Sequence, residues 1–282
     1  MYNFNDDPII SRYRTPAVEA LTLRLTTESP ISLGAFDRCL RRGIRANEQS
    51  KRPLGGQEKY VEFHKTRLWE IANMSKILLG HIASPNRNIS ILDFGYSVNT
   101  LVLEFLYPDH VIYSADRPNI NSPERIGDRG FSVDLSEDNI ENSNMGMKFD
   151  LIIFSEVLEH VLANPTKILK YLIKHLTPDG YIIITTLNFF SFNKMNLIRQ
   201  RLNPQPIYPE TYKAIDAPHF HIREYSMGEL LQISEKAEGT PAAFFFSGCW
   251  DSRESLSRLP NHELSNICII VKNALENQTN PS

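Results

Sequence analysis

The feature that most constrains the fold is the stretch Ile89–Thr100, ISILDFGYSVNT. Its apolar beginning predicts a short strand that ends at Asp93, and Gly95 then allows the backbone to turn tightly. The following residues, Val98–Leu106, predict a helix. In an open α/β sheet, a strand, a turn and a helix in this order present unpaired backbone N–H groups to a nucleotide-like ligand. The stretch therefore predicts a ligand site at the carboxyl end of the first strand.

Three later apolar runs also lead into polar residues. About twenty residues on, the run that begins at Val111 ends at Asp116, the spacing at which dinucleotide-binding folds carry an acid that accepts ribose hydroxyls. Gly130–Leu135 predicts a further short strand that ends in Asp134, where a carboxylate is placed to accept from an adenine amine. Phe149–Val161, FDLIIFSEVLEHV, predicts a buried strand that runs into a polar loop. These strand ends together favour a nucleotide-containing cofactor.

These motifs carry a family resemblance. ILDFG, the acid at 116, FDLIIFSEVLEHV, LTPDGYIIITTLN and HIREYSMGELLQISEKAEG occur in the order found in class I S-adenosylmethionine-dependent methyltransferases. Between Ile89 and about Lys272 the chain resembles the ubiquinone-biosynthesis O-methyltransferase type most. The resemblance implies a Rossmann-like α/β fold with a seven-stranded, mostly parallel sheet and an antiparallel edge, and S-adenosyl-L-methionine as cofactor. It also implies cofactor-binding roles for Asp93, Gly95, Tyr96, Ser97, Asp116, Arg117, Asp134, Leu135, Ser155 and Glu156.

The turn after Gly95 departs from the family pattern. Where many relatives have further glycines, this chain has Tyr96, Ser97 and Asn99, so its backbone approaches a ligand less freely. Weaker cofactor binding is one expectation, and a methyltransferase fold kept as a non-catalytic binding or scaffold module is an alternative function. The acids at all three strand ends favour an enzyme, because the fold alone does not need them.

The chain divides into three predicted parts. Residues 1–56 are interpreted as an N-terminal helical cap or lid, 57–273 as the methyltransferase domain, and 274–282 as a flexible tail. Between Arg38 and Arg52 the cap gathers six basic residues against one acid, which indicates either a patch for anionic substrate groups or, more commonly, a solvated helix face. Within the domain, Phe189–Pro218 carries four prolines and no clear periodicity, and is interpreted as an irregular insertion on the substrate side. The basic residues are Arg38, Arg41, Arg42, Arg45, Lys51 and Arg52, opposed by Glu48.

Composition narrows the setting. The net charge of −3 gives no electrostatic reason to expect nucleic acid as a partner. The three cysteines form no CxxC pair, which predicts reduced thiols and a cytoplasmic location. No apolar run reaches the ~18 residues that a membrane span needs. The polar, acidic beginning MYNFNDDPII does not have the pattern of a signal peptide.

Methyl transfer to a hydroxyl defines the candidate catalytic residues. The reaction is an in-line displacement that requires aligned reactants and is assisted by a base that removes the acceptor proton. Histidine has an unperturbed pKa near neutrality, and the candidates are His160, His219 and His221. The alternative interpretation is that these histidines hold loops in place. The predicted function is O-methylation of a hydroxyl on a small-molecule, sugar or lipid-like metabolite, with N-methylation as a further alternative.

A metal-dependent variant follows from a second resemblance. In the small-RNA 2′-O-methyltransferases, a Glu-x-x-Glu-His set and a later histidine hold a divalent metal, and oxygen and nitrogen ligands suit Mg, Mn or Zn. The same string occurs in relatives without a metal, and the basic, aromatic features of RNA binding are absent here. A divalent metal is left open but not expected. The matching residues are Glu156, Glu159, His160 and one of His219 or His221.

Overall fold

A computed structural model describes residues 7–50, 55–82, 88–117, 129–204 and 221–274. The helices are α1 (Pro8–Ser11), α2 (Pro16–Thr27), α3 (Leu33–Glu48), α4 (Gln57–Ile82), α5 (Val98–Leu106), α6 (Pro165–Lys174), α7 (Phe192–Arg199), α8 (Met227–Lys236) and α9 (Arg253–Arg258). The strands are β1 (Ser90–Phe94), β2 (Val111–Asp116), β3 (Gly130–Ser132), β4 (Phe149–Ser155), β5 (Leu176–Leu187), β6 (Gly239–Ser247) and β7 (Asn266–Asn273). Single 3-10 turns lie at Ile140–Asn142, Leu158–His160 and Asn261–Glu263.

The seven strands form one sheet in the order β3-β2-β1-β4-β5-β7-β6. Pairing is parallel from β3 to β5, whereas β7 runs antiparallel to both β5 and β6. The predicted mostly parallel sheet with an antiparallel edge is therefore confirmed. Because parallel strands end at the same edge, the loops after β1, β2, β3, β4 and β5 lie side by side.

Helices cover both faces of the sheet. One hydrophobic layer contains α6 and α8 together with residues of α1, and the other contains α3, α4 and α5. This burial on both sides explains the unbroken apolar run of β4, in which every residue before Ser155 is buried. None of the described helices is both long and apolar enough to cross a membrane.

The N-terminal helices pack within these layers. A Cβ atom at Gly43 of α3 would lie only 2.9 Å from the side chain of Val102, so α3 and α5 approach as closely as they do because this position lacks a side chain. The Arg42 guanidinium stacks over the Phe105 ring at 4.2 Å, so one residue of the basic cluster is a packing residue. Lys51, Arg52 and Pro53 lie outside the described residues. The lid role of residues 1–56 stays a prediction.

Three segments differ from the sequence-based expectation. The predicted irregular insertion contains α7, which was missed because the helix buries none of its residues and so shows no apolar periodicity. β3 ends at Ser132 rather than at Asp134. The sequence predicts a turn at Thr177–Gly180 and a strand from Tyr181, whereas β5 begins at Leu176, which pairs with Phe149 before a register shift. Residues 205–218 of the predicted insertion lie outside the described residues.

Candidate active site

The first part of the site is the turn between β1 and α5. Gly95 has a φ of 85°, and its N–H donates to the carbonyl oxygen of Ala115 at 2.8 Å. Ser97 caps α5 reciprocally with Thr100. The Tyr96 N–H donates to Oδ2 of Asp116 at 3.3 Å. The turn is thus tied to the end of β2, and the position of a Gly95 side chain would be open space.

Asp93 lies beneath this turn with only 3% of its surface exposed. Its Oδ2 accepts a hydrogen bond from Thr100 Oγ1 at 2.7 Å, and Asn99 Nδ2 lies 3.4 Å from both carboxylate oxygens. Burial raises the pKa of Asp93 to about 7 despite these hydrogen bonds. Asn99, which replaces a glycine of the family pattern, therefore serves to hold the buried acid.

The neighbouring strand ends carry the other two acids. Asp116 Oδ1 accepts from the N–H of Arg117 at 2.8 Å. Asp134 accepts from both the backbone and the hydroxyl of Ser136, at 2.9 and 2.6 Å, and Leu135 beside it is buried. The Val133 N–H donates to the Asp116 carbonyl oxygen, which joins the two loops. The structure thus places Asp116 and Asp134 after adjacent strands.

Glu156 begins the second part of the site, directly after β4. Its backbone adopts a φ of 54°, a left-handed conformation that is unusual for a residue with a side chain. The carboxylate accepts from Thr185 Oγ1 at 2.8 Å and from Asn266 Nδ2 at 3.0 Å, and Thr185 Oγ1 also lies 2.7 Å from Ser155 Oγ. β7 therefore helps to fix Glu156.

Arg67 of α4 is a site residue that the sequence analysis missed. It is 5% exposed, donates to the Tyr60 hydroxyl at 2.8 Å and lies 3.8 Å from Glu156. Its Nε finds no hydrogen-bond partner in the described part of the chain. The Arg67 charge also acts on Asp93, lowering the pKa of that carboxyl against the larger effect of burial. The available signal was an arginine inside the apolar pattern of a long helix, since such a residue is rarely buried without a partner.

An aromatic group stands beside Arg67. The guanidinium lies 5.2 Å from the Trp250 ring centroid. The imidazole of His64 contacts the rings of Tyr60, Phe63 and Trp250. Burial lowers the pKa of His64 to about 4, so the imidazole is neutral near pH 7.

Glu159, His160 and His221 form a compact cluster beyond Glu156. Each offers one ligand atom, and these atoms lie within 4.8 Å of one another. The rings of His160 and His221 meet edge to face with centroids 4.9 Å apart. The Ile222 N–H donates to the Glu159 carbonyl oxygen at 2.7 Å, which holds the His221 segment against the 3-10 turn of Glu159. His219, the third predicted histidine, lies outside the described residues.

Glu159 is the deepest member of the cluster, with 1% of its surface exposed. Oε2 accepts from Thr186 Oγ1 at 2.9 Å, whereas Oε1 receives no hydrogen bond from the described residues. Burial raises the pKa of Glu159 well above its usual value, and the charge of Glu156 raises it further. Glu156 itself is absent from the cluster that the structure brings together.

Lys194 and Glu224 complete this region and were also missed. Glu224 Oε1 lies 3.1 Å from His221 Nδ1, and Oε2 pairs with the ammonium group of Lys194. Burial lowers the pKa of Lys194 to about 8, although the charge of Glu159 opposes this shift. No local pattern pointed to either residue, because they belong to different segments that meet only in the folded chain.

A mostly parallel sheet with acids at neighbouring carboxyl ends is typical of α/β proteins that bind a nucleotide-containing cofactor at this edge. The chain belongs to a methyltransferase family: residues 67–237, more than half of its length, match the family model described as "Methyltransferase domain". The predicted resemblance to methyltransferases is confirmed at this level. A comparison with curated proteins finds no match.

Solved structures similar to this chain are also described as methyltransferases. An S-adenosylmethionine-dependent methyltransferase from Clostridium acetobutylicum is 14% identical, with a TM-score of 0.47, and the match covers 74% of this chain and 92% of that one. The 1,6-didemethyltoxoflavin-N1-methyltransferase of Burkholderia thailandensis is 17% identical, with a TM-score of 0.45 and coverages of 88% and 93%. A sarcosine dimethylglycine methyltransferase assigned in Galdieria sulphuraria is 13% identical, with a TM-score of 0.44 and coverages of 73% and 85%.

Proposed function

We propose that this methyltransferase moves the methyl group of S-adenosyl-L-methionine to a hydroxyl of a small-molecule, sugar or lipid-like acceptor. The observation that carries the proposal is the cluster of Glu159, His160 and His221, whose ligand atoms lie within 4.8 Å of one another beyond the end of β4. A hydroxyl must lose its proton as it attacks, and a base within hydrogen-bond reach assists that loss. The cluster supplies such groups.

The order of the strand ends supports one orientation of the donor. Asp134 and Asp116 follow β3 and β2, and would receive the adenine and ribose. Asp93, near the end of β1, and Glu156, directly after β4, lie close to Arg67. These groups complement an amino acid: the guanidinium would bind its carboxylate and the acids its ammonium group. The methyl group would then lie toward β4 and the histidines.

His160 is the first choice for the base. It follows β4 directly, and His221 stands beside it as the second choice. The role of each histidine is to accept the proton while the backbone turns hold donor and acceptor in line. His219 remains a candidate from the sequence alone.

Two measurements test the proposal in sequence. Isothermal titration with S-adenosylhomocysteine should show binding, because the donor and this product share the groups that the strand ends recognise. Transfer of labelled methyl from S-adenosylmethionine to matched panels of hydroxyl and amine compounds should then label hydroxyls. Labelled amines would support the N-methyltransferase alternative, and absence of binding would support the scaffold alternative.

A specific observation favours a second candidate, in which the same cluster holds a divalent cation. Glu159 Oε1 is buried without a hydrogen-bond donor in the described residues, and Glu224 contacts His221 as carboxylates commonly contact metal-binding histidines. One carboxylate oxygen and two imidazoles suit Mn or Zn. When bound, the cation would lower the pKa of an acceptor hydroxyl.

Direct titration of Mn²⁺ and Zn²⁺ into chelator-treated enzyme tests this candidate without an acceptor. Glu159→Gln and His221→Ala should abolish binding, whereas Glu156→Gln should retain it because Glu156 is directed at Thr185 and Asn266. Equal loss in Glu156→Gln would instead support the four-residue set that the sequence resemblance implied. No binding to the wild-type chain would remove the candidate.

A further inference from the structure

Glu224 is a buried carboxylate shared by two segments. Its side chain is 4% exposed, with Oε1 3.1 Å from Nδ1 of His221 and Oε2 paired with the ammonium group of Lys194. His221 belongs to the candidate acceptor-activating cluster, and Lys194 belongs to α7. One carboxylate thus connects the histidine to a helix that contributes no residue to the cluster.

The attachment of α7 makes this connection important. The helix buries none of its residues, and its N-cap residue Ser191 makes no side-chain capping hydrogen bond. Phe192 and Ile198 each remain 36% exposed. The Lys194 side chain, in contrast, is only 18% exposed. Because Met195 and Leu197 are only half-buried, the ion pair is a main attachment of α7.

Loss of the ion pair between Lys194 and Glu224 should also destabilise this region, because the pair is buried. Removing one member of a buried ion pair leaves the other as an uncompensated charge, which is strongly destabilising. Glu224 would respond by moving toward water or toward a new donor. Either movement would withdraw the group that orients the imidazole of His221.

We propose that Lys194 is a positioning residue, which through Glu224 holds the ring of His221 against that of His160 and couples this arrangement to the docking of α7. The proposal rests on the proposed function only in treating the two histidines as parts of the site. It makes the geometry of the cluster depend on a helix outside it.

The test observes the two rings directly. In the full-length chain with labelled histidine on a deuterated background, the ring protons of His160 and His221 should show a nuclear Overhauser effect, since the centroids lie 4.9 Å apart. His160→Ala and His221→Ala assign the signals. Lys194→Met should abolish the effect, and Lys194→Arg should restore it because the cation is retained. Lys236→Met, which removes an exposed lysine of α8, is the matched control and should leave it unchanged.

A second measurement, hydrogen exchange in Glu224→Gln, tests the proposal even if Lys194→Met does not fold. Glu224→Gln keeps the shape of the side chain but removes the charge, and it should increase hydrogen exchange in 192–199 and in 221–225 together. Lys194→Met should give the same pattern, and the double variant should add little to either single change.

An unchanged ring contact in Lys194→Met, or increased exchange confined to α7, would overturn the proposal. Neither readout requires donor, acceptor or turnover. Failure of the proposed function, shown by absent binding of S-adenosylhomocysteine, is therefore distinguishable from failure of this inference.

Discussion

The two parts of the site are built differently. Around the proposed donor site, contacts are local: Thr100 reaches Asp93 across 7 residues, and Tyr96 reaches Asp116 across 20. Around the proposed acceptor cluster they join separate segments: Thr186 of β5 reaches Glu159, and Lys194 of α7 reaches Glu224. The donor part follows from a strand order, whereas the acceptor part depends on how loops and helices meet. Substitutions in the two parts should therefore separate binding from turnover.

The largest difference between the effect on turnover and the effect on cofactor affinity is expected for His160→Ala. Loss of a general base lowers turnover by about 10²- to 10⁴-fold, while affinity for S-adenosylhomocysteine should stay within about twofold because the donor acids are untouched. Steady-state kinetics and calorimetry measure the two effects. His81→Ala, at the far end of α4, is the control and should change neither.

Full turnover in both His160→Ala and His221→Ala, measured after chelation, would contradict the assignment. It would indicate an amine acceptor, or a hydroxyl activated by positioning alone.

Asp116→Ala should instead act mainly on cofactor affinity. A carboxylate that accepts from ribose hydroxyls makes hydrogen bonds worth about 1.5–3 kcal/mol, so affinity for S-adenosylhomocysteine should fall about 10- to 150-fold. Asp109→Ala, in the exposed loop before β2, is the control. Affinity equal to wild type in the calorimetric titration would remove Asp116 from the donor site.

Arg67→Gln sharpens the comparison, because Arg67 lies where the two parts meet. Affinity for S-adenosylhomocysteine should fall about tenfold or more through loss of a charged hydrogen-bond partner. Affinity for 5′-methylthioadenosine, which lacks the amino-acid end, should stay the same. Arg42→Gln, an arginine that stacks on Phe105, is the control and should affect neither ligand.

Equal losses for both ligands in Arg67→Gln would show a general disturbance of the site. That result would contradict a direct contact between Arg67 and the carboxylate of S-adenosylhomocysteine.

Asp93 provides a pH test of the donor part. Burial raises its pKa from 3.8 in the unfolded chain to about 7, so the folded protein holds the proton more tightly. The corresponding stability is fully present below about pH 4 and is lost as the pH rises through about 7. Asp93→Asn cannot ionise and so does not lose this stability. The melting temperature of the variant minus that of wild type should therefore increase from pH 4 to pH 8. A difference independent of pH would contradict the buried, proton-binding acid.

The smallest effect concerns a helix of the acceptor part. Ser226 and Glu229 form a reciprocal capping box at the start of α8, and Ser226→Ala should reduce the free energy of unfolding by about 1 kcal/mol. Ser191→Ala is the matched control, because Ser191 precedes α7 without a side-chain capping bond. Denaturant unfolding measures both, and equal losses would show that the capping bond is not the cause.

The same division explains what the sequence could predict. Asp93, Asp116 and Asp134 lie at or just after the ends of short apolar strands, so local patterns predicted the α/β fold and the candidate donor acids. α7 was missed because it has no buried face. Arg67, Lys194 and Glu224 were missed because their partners come from other segments. Glu156, a possible metal ligand by the sequence resemblance, is not among the three clustered residues and accepts hydrogen bonds from Thr185 and Asn266. Its role as a ligand stays a prediction.

The position of β7 has a consequence for synthesis. Within the sheet, β6 pairs only with β7, and β7 separates it from β5. On the ribosome, β6 therefore emerges before the strand that will hold it, and Glu156 emerges before Asn266. A nascent chain without β7 exposes two unpaired strand edges to its neighbours. The hydrogen bond from Asn266 to Glu156 can therefore form only after β7 has left the exit tunnel, so this part of the site is completed after the strands β1 to β6 have been made.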